Sequence, residues 1–152
     1  MQIYRFFLPL TRLWCCVDAT VTAAEVLPAA DTQKLPVTFG TTVTAGQLCY
    51  QDSSDSSHAK LSDADASAAT AAAKGIALNG GADGQPGELA IGGTIDPGFT
   101  VTVGEIYVAS GTAGGIAPVA DLAQGDYVFI VGVGLTASSL KLLMYSSGVQ
   151  VP

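Results

Sequence analysis

The chain has 152 residues, 49% of them hydrophobic and only 12% charged, with six Lys and Arg against thirteen Asp and Glu for a net charge of −7. That length fits one domain with ample apolar material for a core, and so low a charge content implies surface that copies or partners cover. The acidic balance argues against direct binding of nucleic acid, whose phosphates require Lys and Arg.

Residues 1–40 are neutral, and residues 41–152 carry the whole −7. The opening segment is apolar and irregular, with Ile3, Tyr4, Phe6, Phe7, Leu8, Leu13 and Trp14 close together and Pro9, Pro28 and Pro36 interrupting any long element. Pro9 and the Thr11–Arg12 pair leave the first apolar run too short for a secretory signal. No stretch supplies the ~20 apolar residues of a membrane span. The segment reads as an extended arm over 1–40 that docks on another surface, followed by a folded body over 41–152.

From residue 41 the text turns to Thr, Val, Gly and Ala with frequent turn residues. "TTVTAGQLCY" predicts strand, turn, strand, and "QDSSDSSH" a polar loop tip. "DADASAATAAAK" allows one short helix, "GIALN" a short strand, and "GGADGQPG" a loop. "ELAIGGTI" and "FTVTVGEIYVAS" read as strands around the turn signal "DPG", and "DYVFIVGVGL" and "SLKLLMYSSGVQV" as two closing strands. The pattern predicts an all-β fold, a compact β-sandwich or small β-barrel with Gly-rich turns, preceded by the arm.

One phrase recurs inside this body. "VTAGQLCYQD" at 43–52, "VTVGEIYVAS" at 101–110 and the looser "LAQGDYVFIV" at 122–131 each set a glycine and a polar residue before a strand. Gly46, Gly104 and Gly125 are therefore expected to be structural turn glycines with positive φ. Their unequal spacing excludes a solenoid.

The motifs that suggest chemistry fail on their surroundings. "GVGLTA" at 132–137 has a dinucleotide-fingerprint spacing, but no acidic residue follows it. "GTAGG" lacks the Lys of a phosphate loop, and "SSDSSH" puts Ser, Asp and His on one loop, where a triad cannot converge. Asp52 with Asp55, and Asp63 with Asp65, offer paired carboxylates without a full calcium-loop register, so they read as solvated loop residues. Cys15, Cys16 and Cys49 form no C-x-x-C, and His58 is the single histidine, so no zinc set is expected and the cysteines suit a reducing place of assembly. The expectation is no enzyme, no catalytic residue, no cofactor and no metal.

The stretches "VTAGQLCYQDS", "AAAKGIALNGGADGQPGELAIGG", "VTVGEIYVASGTAGGIAPVADLAQGDYVFIVGVG" and "LKLLMYSSGVQVP" together resemble the capsid cement or decoration proteins of tailed bacteriophages, over about residues 41–152. That resemblance implies a β-rich knob on the outside of an icosahedral shell, assembled in the host cytoplasm. Its partner would be the major capsid protein, with a homotrimer as the usual state, and nucleic acid and membrane are not expected. The arm residues Ile3, Tyr4, Phe6, Phe7, Leu8, Leu13 and Trp14 are then the expected capsid contacts. A tail or fibre attachment domain, or a secreted adhesin-like module, would share the β body.

Overall fold

A computed structural model describes residues 18–152, which form ten strands. These are β1 (Val26–Pro28), β2 (Gln33–Thr38), β3 (Leu48–Asp52), β4 (His58–Leu61), β5 (Gly75–Ala77), β6 (Pro86–Pro97), β7 (Ile106–Ala109), β8 (Ile116–Pro118), β9 (Tyr127–Thr136) and β10 (Ser139–Gln150). The fold is all-β, an antiparallel sheet curled into a half-barrel. The alanine-rich stretch yields one helical turn, Ala68–Ala71, which starts where the Ser67 side chain accepts the Thr70 N–H.

The twelve-residue strand β6 is common to two leaves. Its first half pairs with β2 and with β5, which continues through β3 to β4. Its second half pairs with β1 and with β10, which continues through β9 and β7 to β8. The change of leaf falls at Gly92–Gly93. Gly93 has φ +79, and a Cβ there would lie 2.1 Å from the Asp31 carbonyl oxygen, so only glycine lets β6 turn against that chain.

Each leaf wraps its own core. Beyond β2 the chain reaches β4 through a parallel bridge between Phe39 and Ala59, so the first leaf curls almost shut. Phe39 is fully buried with Val43, Cys49, Ala59, Ala77 and Leu89. Its ring occupies space that side chains at Gly81 and Gly87 would fill. The second core holds Leu48, Ile76, Ile95, Ile116, Phe129, Val131 and Leu140, and Phe99 packs on Tyr107 at 5.4 Å between ring centres.

The recurring phrase has a common geometry. Gly46, Gly104 and Gly125 have φ of +92, +80 and +93, and each is the third residue of a turn closed by an i+3 N–H onto the i carbonyl. A fourth copy, Ala82–Gln85 with Gly84 at φ +84, leads into β6. The polar residue after the glycine has its own role. Gln47, Gln85 and Asp126 each turn a side-chain oxygen back onto the N–H of the turn's first residue, at 2.8, 2.7 and 3.0 Å.

Two expectations need correction. The boundary at residue 40 falls inside the sheet, because β1 and β2 pair with β6; residues 1–17 alone lie outside the described residues. "FTVTV" at 99–103 is not strand. Val101 instead donates to the Ala137 carbonyl at the β9–β10 turn, and Thr102 donates to the Tyr107 hydroxyl, so these N–H groups are taken outside any ladder while Val101 is buried in the core.

Phe39→Ala should cost about 3–5 kcal/mol, the usual penalty for emptying an aromatic site in a core, read as a fall in the urea midpoint. Gly104→Ala meets nothing within 4 Å and should cost only the backbone strain of about 1–2 kcal/mol. Gly46→Ala should cost more, because its Cβ would lie 2.3 Å from Val21 Cγ1. Equal midpoints for the two alanine variants would contradict the turn packing.

Candidate interaction surfaces

The first surface is the β3–β4 hairpin tip. Strand register sets Asp52 opposite His58 and Tyr50 opposite Lys60. The Asp52 side chain accepts the Ser54 N–H and hydroxyl, which holds the turn while Ser56 and Ser57 take positive φ of 53 and 61. Lys60 Nζ reaches Asp52 Oδ2 at 2.9 Å and Asp55 Oδ2 at 2.8 Å, and His58 Nδ1 lies 3.6 Å from Asp55. The cation between this carboxylate pair is thus the chain's own ammonium, so the two are ion-paired at a solvent-exposed loop tip. The Ser54 hydroxyl and then Lys60 hold the Asp52 carboxyl down to about 2. The Lys60 bond lowers Asp55, and the two carboxylates raise Lys60.

The second surface is a cleft of about 210 Å³ beside β7 and β8, bordered by Asp65, Ser110, Thr112, Asp121 and Asp126. Asp126 is buried in the turn that opens β9, and Asp63 stands next to Asp65, whose N–H it accepts. Desolvation, reinforced by Asp65 and then Asp126, raises the Asp63 carboxyl. Asp121 is raised by desolvation and by Asp18 and Glu105. Asp18 accepts the Ser110 hydroxyl, and Ala19 N–H donates to the Ile116 carbonyl, so the described chain begins along the β8 edge. Among the described residues no three of His, Cys, Asp and Glu are grouped to hold a metal ion.

The third surface is apolar. Residues paired across an antiparallel ladder share a face, which sets Ile106, Val133 and Lys141 side by side on β7, β9 and β10. Leu135 and Leu143 extend the row, and Tyr145 pairs with Ile130 further along. Ile106, Leu135, Leu143 and Tyr145 are 40–60% exposed. Lys141 is the one charge on this stripe, 4.0 Å from Asp31. The opposite face of the same strands carries Tyr107 and Leu142, both buried, so the leaf is apolar on both sides.

The expected site residues divide accordingly. Gly46, Gly104 and Gly125 open β3, β7 and β9 from three separate turns, and the structure brings no two of them together. Ile3, Tyr4, Phe6, Phe7, Leu8, Leu13 and Trp14 lie outside the described residues. The outer stripe was hidden in the sequence, since β7, β9 and β10 read as ordinary core strands; the signal was the near-absence of polar residues at alternate positions of "YVFIVGVGL". Cys49, buried in the first core with its thiol pushed up to about 12 by desolvation, is a packing residue. No family model matches the chain, and no curated protein sequence matches it.

The pH dependence carries opposite signs at the two charged surfaces. Carboxyls lowered in the fold, Asp52 and Asp55, stabilise it above their unfolded values near 4 and lose that contribution as pH falls toward 2. Carboxyls raised in the fold, Asp63 and Asp121, oppose it once pH climbs past the unfolded value and they must ionise. Asp121→Asn should therefore add up to about 0.5 kcal/mol of stability at pH 7 for a partly exposed site, read as a rise in the thermal midpoint, and leave the midpoint unchanged at pH 3. An equal rise at both pH values would show that charge is not the cause.

Proposed function

We propose that this chain is a structural virion protein that sits on the outside of an icosahedral phage shell and bridges neighbouring major capsid subunits. The observation that carries the reading is the exposed apolar stripe on β7, β9 and β10. Its side chains stand on paired strands, so they are held in place before any partner arrives and lose little freedom on docking. Burying ~400 Å² of such surface gives on the order of 10 kcal/mol at 25 cal/mol per Å² before the costs of association. Repeated around a shell, modest affinity per site adds contacts that must break before subunits separate. The resemblance over residues 41–152 points to the same role, and so does the low share of charge.

The arm enters this reading in shortened form. A cut at residue 40 would remove β1, β2 and Phe39 and so damage the body. Deletion of residues 2–17 is the cut that leaves every described strand whole.

Quantitative mass spectrometry of purified particles from the source should find this chain in a fixed ratio to the major shell protein, in hundreds of copies. A few copies per particle would move it to a tail or fibre, and none would end the virion reading. The double variant Ile106→Lys, Leu143→Lys should keep its circular dichroism and lose shell occupancy at least tenfold, the effect of ~1.4 kcal/mol or more. Unchanged occupancy would remove the stripe from the contact.

A further inference from the structure

The β9–β10 hairpin differs from the rest of the molecule in charge and in pairing. Residues 127–152 contain one charged side chain, Lys141, whereas residues 18–126 hold all thirteen carboxylates against Lys34, Lys60 and Lys74, a net −10. The pairing of β10 with β6 ends at Leu142 opposite Gly93. From Leu143 to Gln150 its one strand partner is β9, so among the described residues the other edge of β10 is open. That stretch has no charge and no proline, two of the devices that stop an exposed edge from pairing with another chain, and its one irregularity of that kind is the pair of register shifts against β9 between Leu142 and Tyr145 and between Ser146 and Gln150. It also exposes Leu143, Tyr145 and Val149 at 54–60%.

What fits this edge is its own sequence read backwards. Antiparallel pairing of two copies about Ser146 sets Leu143 opposite Val149 and Tyr145 opposite Ser147. It also sets Met144 opposite Gly148, and these are the two residues of the stretch with left-handed backbone, at φ +46 and +71. The two departures from extended geometry then coincide on either side of the centre rather than breaking the ladder at unrelated places. Elsewhere two copies would meet as like-charged acidic bodies.

We propose that two copies of this chain associate by antiparallel pairing of the open edge of β10 across a two-fold axis at Ser146. The contact is isologous, with each copy presenting the same strand. On the scale of 150–250 Å² for a whole aromatic side chain, the three exposed side chains amount to about 300 Å² per copy. That is well below the ~800 Å² per partner of a stable complex, so the pair forms with rising concentration. The inference does not depend on the shell-docking reading, and its test uses free protein.

Sedimentation equilibrium of the full chain, from ~10 µM to ~1 mM, should show the mass climbing from 15.3 kDa toward twice that value. Hydrogen exchange at amides within 143–149 should slow over the same range. Tyr145→Lys should weaken the association at least tenfold, with Val149→Lys as the alternative should that variant not fold. Leu27→Lys, at an apolar position 58% exposed on β1, should leave it intact. A chain that stays monomeric throughout, a mass of three copies as the resemblance implies, or association unaffected by the β10 lysines would each overturn the proposal.

Discussion

Everything in this molecule hangs on one strand that belongs to two leaves. β6 must change direction between Ala90 and Thr94 without losing its partners on either side, and Gly92–Gly93 permits it because the Asp31 carbonyl occupies the place of a side chain. The Phe39 core forms on one side of that corner and the Ile95–Leu140 core on the other. The corner also determines where β10 parts from β6. A strand that turned less sharply would cover the distal half of β10, and the open edge and the exposed stripe would both be smaller. The surface that could bind is thus a geometric consequence of how the core is divided.

The sequence spoke clearly where a residue type has a single physical use. Glycine at the third turn position with a hydrogen-bonding side chain next to it is such a case, and three of four turns were visible as repeated text. The fourth, at Gly84, was submerged in "GGADGQPG", where glycine is too frequent for one position to stand out. β1 and β2 were missed for the opposite reason. They contain Pro28 and Pro36 and show no alternation, and they are strands because β6 offers a ladder whose far side needs no N–H from the proline. "FTVTV" has strong strand propensity and is not strand, since its neighbours take its N–H groups first.

The charged hairpin tip shows the same limit at the level of a site. Asp52 and Asp55 look like a pair waiting for a cation, and nothing within a few residues supplies one. The ammonium comes from Lys60, eight residues after Asp52, and only the β3–β4 register carries it back across the loop. A carboxylate pair read from sequence is therefore ambiguous until the opposite strand is known. The acidic cleft is the contrasting case, because Asp63 is made harder to ionise by desolvation and then by Asp65 and Asp126, while Asp121 is made so by desolvation and then by Asp18 and Glu105, carboxylates that come from separate parts of the chain.

That cost bears on how the two ends of the molecule can be used. A body of net −10 around an almost uncharged hairpin is unfavourable to self-association at random but tolerates it at one place. An apolar stripe beside an open edge has the opposite tendency, since both are satisfied by covering. The repulsion keeps the copies apart over most of their surface, and the neutral hairpin lets them approach in a single orientation. Charge therefore selects which surface can act, and the apolar side chains supply the energy once it does. Pairing along the β10 edge would draw on Leu143 and Tyr145 and leave Ile106 and Leu135 as the part of the stripe on β7 and β9 that a different partner could still cover.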